Sequence, residues 1–370
     1  MIIFVSMMKY VFLAFLLLLL LLTGYVAWRT WCILPLANGW KLLIISIYAL
    51  SFCCIFINFG MKGRLPMGLA TCSYELGNSW LIFFLYALLF FVLLDLGRAV
   101  RLVPFSFLHD SWAGTLTVFG IIAMLLVYGG IHYHHKYRIP LEIETEKPLD
   151  RPLTIVLASD LHAGYHNRRK EVGRWMDLIN AENPDIVLIA GDIIDISVRP
   201  LLEGGFAEEF RRLNAPVYAC LGNHEYISGD EQARQFFSDA GIHLLKDSAV
   251  QAEGIRIIGR DDRSNPCRAA LWEIAQADSL FTILLDHQPY KLEEAEEAGI
   301  DFQFSGHTHH GQIWPGNWLT DMMYECAYGS YQKGDTRYYV SSGLGIWGGK
   351  FRIGTRSEYV VLRLVNKNGR

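Results

Sequence analysis

Four apolar runs, 11–28, 42–59, 80–96 and 114–131, follow one another in the first 147 residues. Each is close to the ~20 residues that a helix needs to cross ~30 Å of hydrocarbon. Lipid offers no partners to backbone N–H and C=O groups, so runs of this length are restricted to helices. Residues 1–148 therefore read as an all-α transmembrane region of about four helices with a juxtamembrane linker. The first run follows Lys9 and is Leu-rich over 16–22, as a secretory signal is. It continues into 23–28 without a small-residue cleavage site, which makes it a retained anchor. Trp28, Trp31, Trp40, Trp80 and Trp112 fall at or near span ends, where an amphipathic ring suits the headgroup layer. Asp95 stands near the end of the third run, one turn before Arg98, and is expected to reach the interface there.

An even number of spans puts both termini on one side. With the N-terminus inside, the inner segments carry Lys9, Lys62, Arg64, Lys136 and Arg138, and the outer loops Arg29, Lys41, Arg98 and Arg101. Positive charge thus leans towards a cytoplasmic catalytic face, and the bilayer is the first partner expected of the chain. His132, His134 and His135 follow the last span without a carboxylate or Cys at ligand spacing, and read as a solvated juxtamembrane cluster.

Residues 148–370 are different in kind, with 23 Lys and Arg against 31 Asp and Glu. A domain of that sign is a poor match for nucleic acid, whose phosphates require clustered cations, so nucleic-acid binding is excluded. The seven cysteines are scattered with no C-x-x-C pair, which fits neither a disulfide scaffold nor a zinc finger. From residue 153 short β-branched runs alternate with amphipathic stretches, the pattern of an α/β domain over 149–370. Strands are expected at 153–158, 186–190, 217–221, 281–285 and 302–304, with others near 255–258, 338–340 and 359–364. Helices are expected at 168–180, 203–213, 231–240, 268–277 and 291–298.

Five of these strands end in chemistry: Ser159-Asp160-Leu161-His162, Gly191-Asp192-Ile193-Ile194-Asp195, Gly222-Asn223-His224-Glu225, Asp286-His287 and Ser305-Gly306-His307-Thr308-His309. Strands lying side by side would bring these loops to one sheet edge, the usual place for an active site in open α/β architectures. Two divalent ions ~3.5–4 Å apart call for a bridging carboxylate and a mixed oxygen and nitrogen shell. Asp160 with His162, and His307 with His309, are spaced to point the same way along extended turns. A single Asp after a strand is often a helix cap, and a lone His is often a core group. Five such endings in order, each after a strand, are not explained that way.

These residues resemble the five-motif signature of the calcineurin-like metallophosphoesterases: Asp-x-His, Gly-Asp-x-x-Asp, Gly-Asn-His-Asp/Glu, a single His, and Gly-His-x-His. The resemblance covers about residues 149–364 and implies a four-layer αββα sandwich of two mixed β-sheets. It implies that Asp160, His162 and His309 hold one ion, that Asp192 bridges, and that Asn223, His287 and His307 hold the other. Mn²⁺, Fe²⁺ and Zn²⁺ all suit such shells. His224 is similar to the family's non-ligand catalytic histidine, a proton donor or charge stabiliser, and the nucleophile would be a metal-bridging hydroxide. Asp195 and Glu225 read as supporting or capping residues.

Two departures bear on substrate. Asp195 is followed by Ile196-Ser197, where protein phosphatases of the superfamily usually continue Asp-Arg-Gly, which counts against a protein phosphatase. The stretch from Gly306 to Pro315 is close to a bacterial, often membrane-anchored subgroup, except that His310 stands where that subgroup usually has Gly. In the later Ser341–Gly348 loop, Ser342 stands where an Arg is common. With the anchor, and with apolar loops around Trp314, Trp318, Met322, Met323, Tyr324, Tyr328 and Tyr331, a phosphodiester, pyrophosphate or phosphomonoester bond of a lipid or lipid-linked phosphate is the expected substrate. The alternatives are a tethered nucleotide or cyclic-nucleotide phosphodiesterase, and an inactive metal-binding sensor module.

Overall fold

This computed structural model describes residues 2–61, 63–275 and 279–367. The chain forms two compact units, Met1–Lys62 with Gly68–Tyr128, and Gly63–Met67 with Gly129–Arg370. The first is built on α1 (Ile2–Ile33), α2 (Asn38–Gly60), α3 (Met67–Ala99) and α4 (Trp112–His134), all long and apolar enough to cross a membrane. Helix α3 starts thirteen residues before its apolar run, and polar side chains in that stretch return to its own carbonyls: Ser73 Oγ to Ala70 O at 3.2 Å and Asn78 Nδ2 to Tyr74 O at 2.8 Å. Asp95 is not left to the interface beside Arg98. It accepts from Tyr25 Oη at 2.6 Å and Arg29 Nε at 2.8 Å on α1, since a carboxylate in an apolar helix bundle is stable only when paired.

The second unit is a sandwich of two six-stranded sheets. Its elements run β1 (Lys136–Thr145), β2 (Leu153–Ala158), α5 (Arg169–Ala181), β3 (Ile186–Ala190), α6 (Arg199–Gly204), α7 (Ala207–Phe210), β4 (Val217–Cys220), α8 (Asn223–Ser228), α9 (Asp230–Asp239), β5 (Ile242–Leu244), β6 (Ser248–Ala252), β7 (Ile255–Gly259), α10 (Leu271–Ile274), β8 (Phe281–Leu285), α11 (Glu293–Glu297), β9 (Phe302–Ser305), α12 (Gly316–Met323), β10 (Gly329–Lys333), β11 (Thr336–Val340) and β12 (Ser357–Asn366). One sheet has the order β1-β12-β2-β3-β4-β5 and the other β10-β11-β9-β8-β7-β6. Both are mixed: β2, β3 and β4 are parallel and β12 runs antiparallel to β2, while β7, β8 and β9 are parallel and β6 runs antiparallel to β7.

The strand sequences explain the layering. In β2, Ile155 and Leu157 point between the sheets, packing with Ile257, Ile283, Leu285 and Phe304. Val156 and Ala158 alternate to the outer face, under Trp175 and Met176 of α5 and Phe236 and Phe237 of α9. Covered on both faces, these strands read as continuous apolar runs. On the far side, Ile258, Leu284 and Val340 pack beneath Leu271 of α10 and Leu292 and Ala295 beside α11. This is the four-layer αββα arrangement that the resemblance implies.

Several expectations change. The expected helix over 203–213 is two short helices with a break at Gly205-Phe206, and the one over 268–277 is reduced to α10, its last residues lying outside those described. The segment read as a juxtamembrane linker contains β1, which pairs in parallel with β12 over ten residues from Lys136↔Ser357 to Thr145↔Asn366. The α2–α3 loop also belongs to the second unit, with Arg199 Nη1 donating to Leu65 O at 2.6 Å. A chain beginning at Leu149 lacks β1 and leaves the β12 edge unpaired. It is expected to melt below one beginning at Gly129 in parallel thermal unfolding, and equal melting temperatures would show that β1 adds nothing to the sandwich.

Candidate metal centre

All five motifs lie at the C-terminal ends of parallel strands, but not in one sheet. The loops after β2, β3 and β4 come from the first sheet and those after β8 and β9 from the second. The cleft therefore opens across the ends of both sheets. Hydrogen bonds join its loops directly: Asp160 N to Gly191 O at 3.1 Å, His162 N to Asp192 O at 2.9 Å and Gly306 N to His287 O at 2.9 Å.

The eight residues singled out from sequence come together here. Ligand atoms of Asp160, His162 and His309 lie within 4.8 Å of one another, as do those of His162, Asp192 and His224, and those of Asp192, His287 and His307. His162 Nε2 faces His309 Nε2 at 3.1 Å, and His309 Nε2 is 3.4 Å from Asp160 Oδ1. On the other side His287 Nε2 is 3.1 Å from Asp192 Oδ2, and Asn223 Oδ1 lies 2.8 Å from His307 Nδ1 and 3.2 Å from His287 Nε2. Asp192 is common to two of the three groups, the position a bridging carboxylate must hold.

The backbone is bent to achieve this. Asp160, His162, Asp192, His307 and His309 all have left-handed φ, between 45° and 70°. Each such residue costs about 1–3 kcal/mol and persists only where its surroundings over-determine it. Two glycines permit the approach: a Cβ on Gly222 would stand 2.2 Å from Asp192 Oδ1, and one on Gly306 2.2 Å from Asp160 Oδ2.

Supporting groups set the imidazole tautomers. His287 Nδ1 lies 2.7 Å from Ala190 O, so it carries the proton and Nε2 is left to coordinate. Asp195 places Oδ1 3.3 Å from His162 Nδ1 and 3.4 Å from His224 Nδ1, which turns both Nε2 atoms into the cleft. Glu225 sits in the first turn of α8 and accepts from the backbone N–H groups of Gly222 at 2.7 Å, Asp192 at 3.0 Å and Ile194 at 3.0 Å. It holds the second and third motifs together.

Electrostatics follow from this burial. Desolvation and neighbouring His287 lower His307 to about 4, and desolvation with His162 carries His309 well below the usual imidazole value, so both are neutral donors at pH 7. Burial raises Glu225 to about 7, with the charge of Asp192 adding to it. For His224 burial opposes the cation, but Asp192 and Asp195 outweigh it and lift the group to about 9. Its imidazole is the more open of the pair it forms with His162, with 12 % of the side chain exposed against 0 %.

The donor set fits divalent cations. Asp160, His162, Asp192, His287 and His309 are buried, and imidazole nitrogens converging beside carboxylates are ligands that a divalent cation can take.

The other sequence candidates lie elsewhere. His310 stacks on Tyr328 at 4.7 Å with Nε2 3.4 Å from Asp321, and its φ of 49° explains a glycine preference there. His132 Nδ1 is 3.2 Å from Arg352 O and partly covered, whereas His134, 3.5 Å from Glu171, and His135 are exposed as expected of a solvated cluster. Arg352, not singled out in the sequence, is fully buried and donates to His309 O at 2.8 Å, Gly345 O at 3.1 Å and Ser342 O. A guanidinium thus reaches the loop where Ser342 replaces an expected Arg, but it is spent on carbonyls. Tyr133, at the end of α4, donates to Asn167 Oδ1 at 2.6 Å, and Asn167 Nδ2 in turn holds Leu161 O at 3.0 Å and His162 O at 3.1 Å. No local sequence signal marks either residue.

Residues 153–311 match the calcineurin-like phosphoesterase family model. A metallophosphoesterase of Helicobacter pylori strain 26695 is 30% identical over 344 residues, covering 89% of this chain and 90% of that one. The chain is a calcineurin-like metallophosphoesterase. Membership makes it a metal-dependent phosphoester hydrolase. The metallophosphoesterase of H. pylori strain J99 is 33% identical over 230 residues, covering 60% of this chain and 62% of its own length. A Danio rerio protein named as a transmembrane protein with a metallophosphoesterase domain is 27% identical over 352 residues, covering 86% of this chain and 79% of that one. With four apolar helices, this likeness marks the metallophosphoesterase as a membrane protein.

Replacing Asp195 with Asn removes the charge that orients His162 and His224. Metal affinity, titrated on the stripped protein by elemental analysis, is expected to fall by about 10–100-fold. Unchanged affinity would mean that Asp195 does not orient a ligand.

Proposed function

We propose that this metallophosphoesterase is a membrane-anchored enzyme that uses two divalent ions to hydrolyse a phosphodiester, pyrophosphate or phosphomonoester bond of a lipid or lipid-linked phosphate. The observation that carries the reading is three overlapping clusters: Asp160 with His162 and His309, His162 with Asp192 and His224, and Asp192 with His287 and His307, so that Asp192 stands between the two outer ligand groups. Asp160, His162 and His309 are assigned to one ion, Asn223, His287 and His307 to the other, and Asp192 to both. Bound there, the ions supply acidified water and positive charge to the phosphoryl oxygens. Mn²⁺ is the first ion to offer, followed by Fe²⁺ and Zn²⁺.

The residues of the chain do the rest. His224 reaches the cleft from the first turn of α8, its backbone N–H donating to Asp192 Oδ1 at 2.8 Å. With Nδ1 directed to Asp195, its Nε2 is the group able to deliver a proton to the leaving oxygen. The lipid reading is supported by the four apolar, membrane-length helices carried on the same chain. The tethered nucleotide phosphodiesterase remains the second reading, and a panel of lipid phosphates run beside nucleotides in mixed micelles separates them.

His224→Ala is expected to lower kcat on bis-p-nitrophenyl phosphate by about 10²–10⁴-fold with two ions still bound. A loss of bound metal instead would make His224 a ligand. We place the domain on the cytoplasmic face of a bacterial inner membrane, following the lean of positive charge. Cys267 is exposed, so a membrane-impermeant maleimide is expected to label it only after cells are permeabilised, with Cys267→Ser as the control. Labelling in intact cells would reverse the orientation.

A further inference from the structure

Helix α12 is apolar and none of its residues is buried. Trp318 is 59% exposed, Leu319 63%, Met322 83% and Met323 65%, and their spacing puts them on one side of a two-turn helix. Trp314, just before it, is 42% exposed and meets Trp318 edge to face with ring centroids 5.4 Å apart. A contiguous apolar patch of this kind marks a surface that something covers.

Its place in the fold identifies the cover. Residues 129–134 are the last turns of α4 and belong to the same unit as α12. They grip the segment 351–353: Arg352 N donates to Gly129 O at 3.0 Å, and a Cβ on Gly129 would stand 2.7 Å from Ile353 Cγ1. On its other side the same segment holds the start of α12, with Trp314 N donating to Ile353 O at 2.6 Å and Ile313 bridging to Ile353. One short segment therefore connects the exit of a membrane-length helix to the exposed tryptophans. Trp and Met on a short amphipathic helix suit the boundary between headgroups and acyl chains.

The same helix adjoins the loop that carries the fifth motif. Asp321 of α12 lies 3.4 Å from His310, and the Tyr324 ring, directly after the helix, is 6.3 Å from that of His307. We infer that α12 is a second, monotopic contact with the bilayer that seats the mouth of the cleft in the headgroup layer, so that amphiphiles carrying a phosphate enter sideways from the leaflet. This rests on the phosphoesterase reading of the cleft for its ligand, but not for the membrane contact itself.

The full chain in phospholipid nanodiscs tests the two parts separately. The Trp318 emission, taken as the difference between wild type and Trp318→Phe, is expected to be quenched by brominated acyl chains and shielded from aqueous iodide. Quenching by iodide but not by brominated lipid overturns the contact. Shielding from both, with cross-linked dimers or a co-purifying protein, assigns the patch to a second copy or a protein partner and overturns it equally. The double variant Leu319→Glu, Met322→Glu is expected to lower the ratio of turnover on bilayer-embedded phospholipid to turnover on bis-p-nitrophenyl phosphate by roughly tenfold. An unchanged ratio rejects lateral entry. If wild type bound two ions and hydrolysed neither substrate, the phosphoesterase reading would fail while the quenching result stood on its own.

Discussion

Four carboxylates, Asp160, Asp192, Asp195 and Glu225, are buried in one cleft of this protein, and much of the rest of the structure answers to that fact. Taking a carboxylate out of water costs several kcal/mol unless charge or hydrogen bonds replace the solvent. The protein uses a different answer for each. Glu225 is satisfied by three backbone N–H groups, and Asp195 lies against the imidazoles of His162 and His224. Asp160 and Asp192 are only partly met by the chain, through the N–H groups of His307 and His224. Their remaining lone pairs face imidazole nitrogens of His162, His287 and His309, a donor set consistent with divalent metal ions.

Holding such a cleft together requires rigid supports, which the two sheets provide. The strands that deliver the motifs are buried on both faces, so a shift in any loop would disturb packing on two sides. The left-handed residues at the strand ends are tolerable for the same reason. The support extends to the last turn of α4, where the Tyr133–Asn167 hydrogen bond fixes the carbonyls of the first motif. The end of a membrane-length helix is thus part of the scaffold for the ion-binding loop.

Much of this was legible in the sequence, for identifiable reasons. Strands β2, β3 and β8 match their expected bounds because strands covered on both faces must be continuously apolar. The eight cleft residues could be named because each follows such a strand within a few positions. Strand β1 was missed although Tyr137, Ile139, Leu141 and Ile143 alternate, because it follows a membrane helix directly and carries Pro140. Helix α12 was missed because eight residues, opening on Gly316 and Asn317, make only about two turns, too few for a helical period to stand out from a loop. Arg352 is separated from its partners by sequence distances that no local pattern spans.

The residues alone determined what the chain must contain: helices long and apolar enough for a membrane, an acidic α/β domain, and an ordered set of strand-end ligands. Hydrophobic run length and strand-end chemistry are local properties, readable without knowing the fold. Only the tertiary structure decided that the ligands come from two sheets, that Asp195 serves two histidines at once, and that the linker is a strand. It also decided that α12 stands uncovered beside the cleft. Each of these depends on contacts between segments far apart in sequence, where burial and hydrogen bonding, not local preference, select one arrangement.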